Sequence, residues 1–374
     1  MFSFKEKGIS IFEKAGIEVN GKNPWDIQVH NDNFYERTFR GGSLAFGEAY
    51  MDDWWSVKRL DQFFTIIFSN QLENQIKSIA MLPYYFKSFL FNPQKGENAL
   101  KVGRQHYDIG NDLYSRMLDK RLVYTCGYWD SFQDLDAAKN LDEAQEHKLD
   151  MICRKIGLKE GDEVLDIGCG WGSFMHYAAE KYGARCVGIS ISKEQIKYGN
   201  ETKGDLPIEF RLQDYRELDE KFDHIVSIGM FEHVGYKNYK NFMSIVSKNL
   251  KEDGLFLLHT IGSNVSVKYT DPWIDKYIFP NSMLPSATQI AKAAENIFVI
   301  EDWHNFGPQY DYTLMQWYEN FKRAWPEISN KYDLRFYKMW EYYLLSSAAT
   351  FRSRINQVWQ ILFSKHGRKV EYKR

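Results

Sequence analysis

A Glu-His pair at Glu232-His233, a second histidine at His259, and the run Val164-Leu165-Asp166-Ile167-Gly168-Cys169-Gly170-Trp171-Gly172 are the residues of this chain best suited to chemistry. Apolar residues running into an acid and then into glycines at every second position describe a buried strand that turns sharply into a helix. Glycine is needed where a side chain would hold backbone away from a ligand. Such a turn can therefore lay N–H groups and a helix N-terminus against a cofactor. Glu232, in Gly-Met-Phe-Glu-His-Val-Gly, and His259, in Leu-Leu-His-Thr-Ile-Gly, each follow a later apolar run. In one parallel sheet both would face the crevice at its carboxyl rim, where a carboxyl and an imidazole can move protons. A helix-start acid and a satisfied core histidine are the structural alternatives.

The cofactor follows from what the turn lacks. A dinucleotide fingerprint requires a third glycine at position 173 and an acid closing the next strand. Position 173 is Ser, and Arg185–Ile189 ends in Ser190. The pattern hydrophobic-hydrophobic-Asp-x-Gly-x-Gly-x-Gly resembles instead the S-adenosylmethionine (AdoMet) turn of Rossmann-like methyltransferases. Within Ser190-Ile191-Ser192-Lys193-Glu194-Gln195, Ser190 and Gln195 stand where a ribose would need partners, and Ser192 also reads as a helix cap. Gln213-Asp214, after the third strand, is placed to meet an adenine edge. Tyr124, Thr125 and Cys126 either offer a hydroxyl and backbone groups to a ligand or simply end a strand.

These residues need an α/β scaffold, a mostly parallel Rossmann-like methyltransferase sheet with helices on both faces. A helix is expected from Leu141 to Ile156, and strands at Glu163–Ile167, Arg185–Ile189, Ile208–Leu212, Phe222–Ile228 and Gly254–Thr260, with Ser173 capping the helix after the turn. Beyond Gly262 the alternation stops. Asp271–Pro285 and the aromatic helical run Tyr312–Trp325 suit a cover that supplies an acyl-chain tunnel. Upstream, residues 1–80 read as a small α(+β) unit: a helix at Gly8–Lys14, a strand at Asp26–His30, and a helix from Asn33 broken at Gly41-Gly42. Trp54 and Trp55 either pack in its core or face a partner. Ile76–Phe91, divided by Pro83 and carrying Lys77 and Lys87 among large apolar residues, suits a membrane interface or a buried interdomain helix. Residues 81–98 form the linker, and 99–374 the catalytic domain.

With 374 residues the chain can bury one large core and a smaller one. Aromatic residues reach 16%, which suits an aromatic-lined cavity as well as a dense core. A formal net charge of −2 gives no global field toward nucleic acid. The C-terminal Phe363–Arg374 is locally basic, either solvated or touching anionic lipid. Cys126, Cys153, Cys169 and Cys186 show neither zinc spacing nor a disulfide framework, and a reducing cytoplasm fits. The N-terminus lacks a signal-peptide core, and no run reaches the ~18 apolar residues of a membrane span.

With those residues in view, the chain resembles the bacterial cyclopropane fatty acid synthases over nearly its whole length. The carriers are Gly42–Trp55, His106–Leu113, Val164–Gly172, Gly229–Gly235, Leu258–Gly262, Asp271–Ile274, Lys276–Pro280 and Glu301–Gly307. The N-terminal unit is similar to that of the two-domain members, and the family suggests a homodimer at the inner face of the membrane. The resemblance implies transfer of the AdoMet methyl carbon to a cis double bond of an unsaturated phospholipid acyl chain, then ring closure. It implies a bound bicarbonate ion as the base, held by the backbone of Cys126 and Ile261 and by Glu232, His259 and Tyr310. It assigns Tyr124, Thr125, Val164 to Gly172 and Ser190 to Gln195 to AdoMet, with Gln213 and Asp214 near adenine. No metal is implied. A methylase that stops at a methylene or methyl branch is the alternative, and a non-catalytic AdoMet- or lipid-binding protein is the reading from another class.

Two positions depart from the family pattern. Thr125 stands where members commonly carry Ser, and Ser347 where they carry a cysteine often assigned to the active site. Serine is a far weaker nucleophile than thiolate, and the implied chemistry needs no enzyme nucleophile.

Overall fold

The computed structural model describes residues 3–72 and 111–374. The Ile76–Phe91 stretch, the 81–98 linker and most of the His106–Leu113 block lie outside the described residues. Described elements run α1 (Phe4–Lys14), β1 (Gln28–Val29), α2 (Asn33–Met51), β2 (Trp55–Ser56), α3 (Leu60–Ser69), α4 (Asn111–Met117) and α5 (Leu141–Lys155). Then come β3 (Glu163–Ile167), α6 (Ser173–Tyr182), β4 (Arg185–Ser190), α7 (Lys193–Thr202), β5 (Ile208–Leu212), β6 (Phe222–Ile228), α8 (Tyr239–Asn249) and β7 (Leu250–Ser263). The chain closes with α9 (Pro272–Tyr277), α10 (Ala287–Ala294), β8 (Val299–Asn305), α11 (Gln309–Ile328), α12 (Leu334–Arg352) and β9 (Asn356–Ser364).

Seven strands form one sheet in the order β5-β4-β3-β6-β7-β9-β8. The first five are parallel, and β9 and β8 are antiparallel to their neighbours. This is the Rossmann-like α/β architecture expected of the sequence. Side chains alternate across β3, so Leu165 and Ile167 join one apolar layer with α8 and α10, while Val164 joins the opposite layer with α5 and α6. Asp166 shares the face of Val164 and is nearly fully buried. A third cluster joins α1, α2 and α3 to α11 and α12, so the N-terminal unit is packed against the helical cover. Tyr342 stands at that junction, with its ring 5.0 Å from Phe64 and 4.4 Å from Trp273. Asp61 of α3, buried, accepts from both Arg59 and Arg352, and Arg352 also holds Asp311 of α11.

Several local expectations change. Two strands unmarked by the sequence pattern, β8 and β9, complete the sheet. The first of them, Val-Ile-Glu-Asp-Trp-His-Asn, lies at the sheet edge with acids on it, so it has no apolar alternation to read. β7 runs from Leu250 to Ser263 rather than over 254–260. Helix α2 continues past the glycine pair, and Gly42 (φ 61°, ψ −145°) makes the expected break a kink. Between Asp26 and His30 only Gln28–Val29 pair, with β2. Ser173 is not a cap. Gly172 takes that position at φ 87°, and the Ser173 hydroxyl donates to the Arg121 carbonyl at 2.6 Å. Trp55 is fully buried, and Trp54 lies half-buried beneath the Arg37 guanidinium. The basic tail is folded back: Lys365 pairs with Glu252, and Arg374 with Asp302. Among the described residues no helix is long and apolar enough to cross a membrane.

Candidate active site

The β3–α6 turn is built by glycines that no other residue could replace without movement. Gly168 (φ 87°) would drive a Cβ to 2.6 Å from that of Met230, and one at Gly172 would meet the Phe210 ring. Gly170 (φ 54°) differs, because a Cβ there would meet nothing among the described residues. Gly170 lines a cavity at the carboxyl end of the sheet, whose wall is made of a cofactor-turn part, Gly168–Trp171, Asp166, Thr125 and Gln195, and an acid–base part, Glu232, His259, Ile261 and Tyr310.

In the cofactor-turn part, burial pushes the Asp166 carboxyl up to about 7, and its Oδ1 has no partner among the described residues. Thr125 accepts from Lys148 Nζ through Oγ1 at 2.9 Å, and its carbonyl accepts from Gln145 Nε2 at 2.8 Å. Tyr124 is placed by a 2.9 Å hydroxyl contact with Tyr343 and by rings of Tyr114 and Trp317, each about 5.1 Å away. Gln195 is fixed by the Ser190 hydroxyl, which donates to its Oε1 at 2.8 Å, and Ser192 caps α7.

In the acid–base part, Glu232 stands in the short turn after β6. Its Oε1 accepts the Ile261 N–H at 2.6 Å, while Oε2 is buried without a partner among the described residues. Burial pushes this carboxyl up to about 7 against the lowering effect of that N–H. His259 lies within β7, and burial holds it neutral, far below the usual imidazole range, helped by the charges of Lys148 and Lys155. Its Nδ1 lies 3.3 Å from Nε2 of Gln360, its direct cross-strand partner on β9. Tyr310, in the first turn of α11, packs its ring 4.7 Å from Phe351, and burial raises its phenol well above the ordinary value. His233, beside Glu232, is held neutral by burial at about 4, with Nδ1 unpartnered.

Other candidates fall elsewhere. The Cys126 thiol is buried behind the wall, donates to the Gly127 carbonyl, and is raised by burial beyond any nucleophilic range. Val164, Leu165 and Ile167 are strand core. Lys193 and Glu194 are exposed, and Ile191 half-buried. Gln213 donates to the Glu217 carbonyl, and Asp214 caps the turn at 215–217 while pairing Arg216. Ser347 is half-buried on α12, off the cavity wall, with its carbonyl accepting from Thr350. His233 lines the cavity as expected of the Glu-His pair, while Lys148, Phe279, Ser282 and Leu284 line it without having been singled out as binding residues. Lys148 had a readable signal. With Gln145 it interrupts the buried stripe of α5 at positions where Leu141, Ala144, Leu149 and Ile152 are apolar.

The wall fits AdoMet. It offers a buried carboxylate oxygen without a partner among the described residues, a glycine at which a Cβ would meet none of them, and a helix N-terminus. Residues 94–361 match the family model for mycolic acid cyclopropane synthetase. The chain belongs to this family. It is 51% identical over 362 residues to the cyclopropane-fatty-acyl-phospholipid synthase of Escherichia coli K12, covering 95% of this chain and 92% of the relative. It is 32% identical to the sphingolipid C9-methyltransferase of Komagataella phaffii, over 95% of this chain and 73% of that one. Among solved structures, a mycolic acid cyclopropane synthase complexed with SAH and CTAB superimposes with TM-score 0.64 at 30% identity, over 71% of this chain and 98% of that one. Membership in the cyclopropane synthetase family accounts for the turn, the cavity and the helical cover together.

Proposed function

We propose that this protein is an AdoMet-dependent cyclopropane-fatty-acyl-phospholipid synthase, acting on cis double bonds of phospholipid acyl chains with bicarbonate as the base. The observation that carries the reading is one cavity lined both by the AdoMet turn and by a buried glutamate, whose Oε2 has no partner among the described residues, together with a buried neutral histidine. When bound, AdoMet supplies an electrophilic methyl carbon, and bicarbonate a base for the proton lost as the ring closes.

The chain's own groups have three tasks. Asp166, Gly168–Trp171, Thr125 and Gln195 would hold and orient AdoMet, because an alkene is a weak nucleophile and alignment with water excluded must supply much of the rate. Rings of Tyr124, Phe279 and Tyr310 on the wall present faces that stabilise positive charge on the acyl chain. His259 and Tyr310 would orient the anion, with the Cys126 backbone. Glu232, raised by burial to about 7, can exchange a proton near neutral pH through Oε2, donating from it and later accepting there. Its Oε1 already takes the Ile261 N–H, so the Ile261 backbone acts on the anion through Glu232.

The reading requires transient contact with the bilayer from the cytoplasmic side, with the N-terminal unit of residues 1–80 as a lipid-binding accessory and a homodimer as the working form. The relative that methylates sphingolipid favours a second reading, in which the product keeps a methylene or methyl branch. Incubation of purified protein with labelled AdoMet and unsaturated phospholipid vesicles, followed by mass spectrometry of the fatty methyl esters, separates them. Cyclopropane esters support the first reading, branched esters the second, and absence of label in lipid removes both.

A further inference from the structure

Lys148 has no role in the account above, yet its position is unusual. It projects from the buried face of α5 onto the cavity wall, is fully buried, and is the one lysine or arginine among the described lining residues. An ammonium group has three protons to donate. One goes to Thr125 Oγ1 at 2.9 Å, and Lys148 has no ion-pair partner among the described residues. Asp119, whose charge acts on Lys148, is occupied by the backbone N–H groups of Arg121 and Val123. A buried cation with donors unspent is costly unless an anion completes it.

The surroundings narrow what that anion is. Lys148 lines the same cavity as Asp166 beside the glycine turn and His259 at the acid–base end, and its charge acts on both. The groups assigned to the anionic base include no cation, and one of them, the Ile261 N–H, is already taken by Glu232. Methyl transfer moves the positive charge from the sulfonium to the acyl chain, whereas a lysine ammonium is a counter-charge that stays in place throughout the reaction.

We propose that Lys148 is the oxyanion-binding cation of this cavity, holding a planar carboxylate or carbonate group against the Thr125 hydroxyl. Two sources share that chemistry: bicarbonate, and the methionine carboxylate of AdoMet. The bicarbonate form rests on the base assignment of the proposed function, whereas the carboxylate form does not.

The test uses the full-length protein and the Lys148→Met, Lys148→Gln and Lys148→Arg variants. S-adenosylhomocysteine affinity is read by calorimetry in bicarbonate-free buffer, and bicarbonate affinity by thermal-shift titration of the S-adenosylhomocysteine-loaded protein. Loss of a charge-assisted hydrogen bond predicts a roughly tenfold or greater weakening in one titration for Met and Gln, largely restored by Arg. Weakening of bicarbonate alone assigns the carbonate source. Weakening of S-adenosylhomocysteine alone, spared when its decarboxylated analogue is titrated, assigns the carboxylate source. Native-like melting with both affinities unchanged overturns the proposal. Gln keeps a donor for Thr125 and carries the test if Met does not fold. A wild-type protein indifferent to bicarbonate in binding and turnover sinks the base assignment, leaving Lys148 to be judged on the cofactor titration.

Discussion

Glu232→Gln should abolish turnover and, at alkaline pH, make the protein more stable. Burial moves this carboxyl from the ordinary 4.5 to about 7. Unfolded, it ionises near the lower value; folded, near the higher. Between them the folded chain binds the extra proton, so stability falls as pH rises and the loss is complete once pH exceeds 7. A displacement of that size corresponds to about 3 kcal/mol, at 1.36 kcal/mol for each pH unit. Glutamine keeps an oxygen for the Ile261 N–H, now 2.6 Å from Oε1, and never ionises. Urea denaturation without ligand, at pH 5 and pH 8, should show wild type losing up to about 3 kcal/mol relative to the variant across that interval. S-adenosylhomocysteine binding should stay near wild type. An equal pH dependence in the two proteins would show that Glu232 is not held in a desolvated site, and unchanged turnover would remove it from the chemistry.

Replacing Gly172 by alanine places a methyl group at φ 87° against the Phe210 ring, and should cost roughly 1–3 kcal/mol together with most S-adenosylhomocysteine affinity, read by melting and calorimetry. Ser347→Ala should retain turnover within about threefold, since the residue lies off the cavity wall and surface-type changes cost little; a loss of two orders of magnitude in vesicle assays would return it to the site. Asp61→Ala leaves Arg59 without its carboxylate and Arg352 with Asp311 alone, and should lower stability by about 2–4 kcal/mol in denaturant. An unchanged midpoint would mean the N-terminal unit does not depend on that link.

Much of this architecture is legible in the sequence because it is local. Glu163–Ile167 and Phe222–Ile228 are strands at the residues expected, since a parallel sheet covered on both faces writes apolar runs into the chain, and the edge strand Ile208–Leu212 is legible by its alternation of apolar and polar residues. The other edge strand, β8, shows neither, having acids at Glu301 and Asp302 where one face meets solvent and tail residues. The site divides the same way. Asp166, Glu232 and His259 stand at strand ends or on strands, where topology alone brings them together. Tyr343 reaches Tyr124 across 219 residues, and the carboxylate of Glu232 meets the Ile261 N–H through a turn whose geometry no spacing rule gives. Lys148 was within reach of the helical period, as a polar residue on a buried stripe.

The central claim is that the donated methyl carbon ends as a ring carbon after losing a proton inside this cavity. Turnover with AdoMet bearing a fully deuterated methyl group, on vesicles of a cis-unsaturated phospholipid, tests it most directly by mass spectrometry and NMR of the released fatty esters. The account predicts a cyclopropane carrying one deuterium fewer than the methyl group donated. A branched ester that keeps every deuterium, or lipid without label, would contradict it.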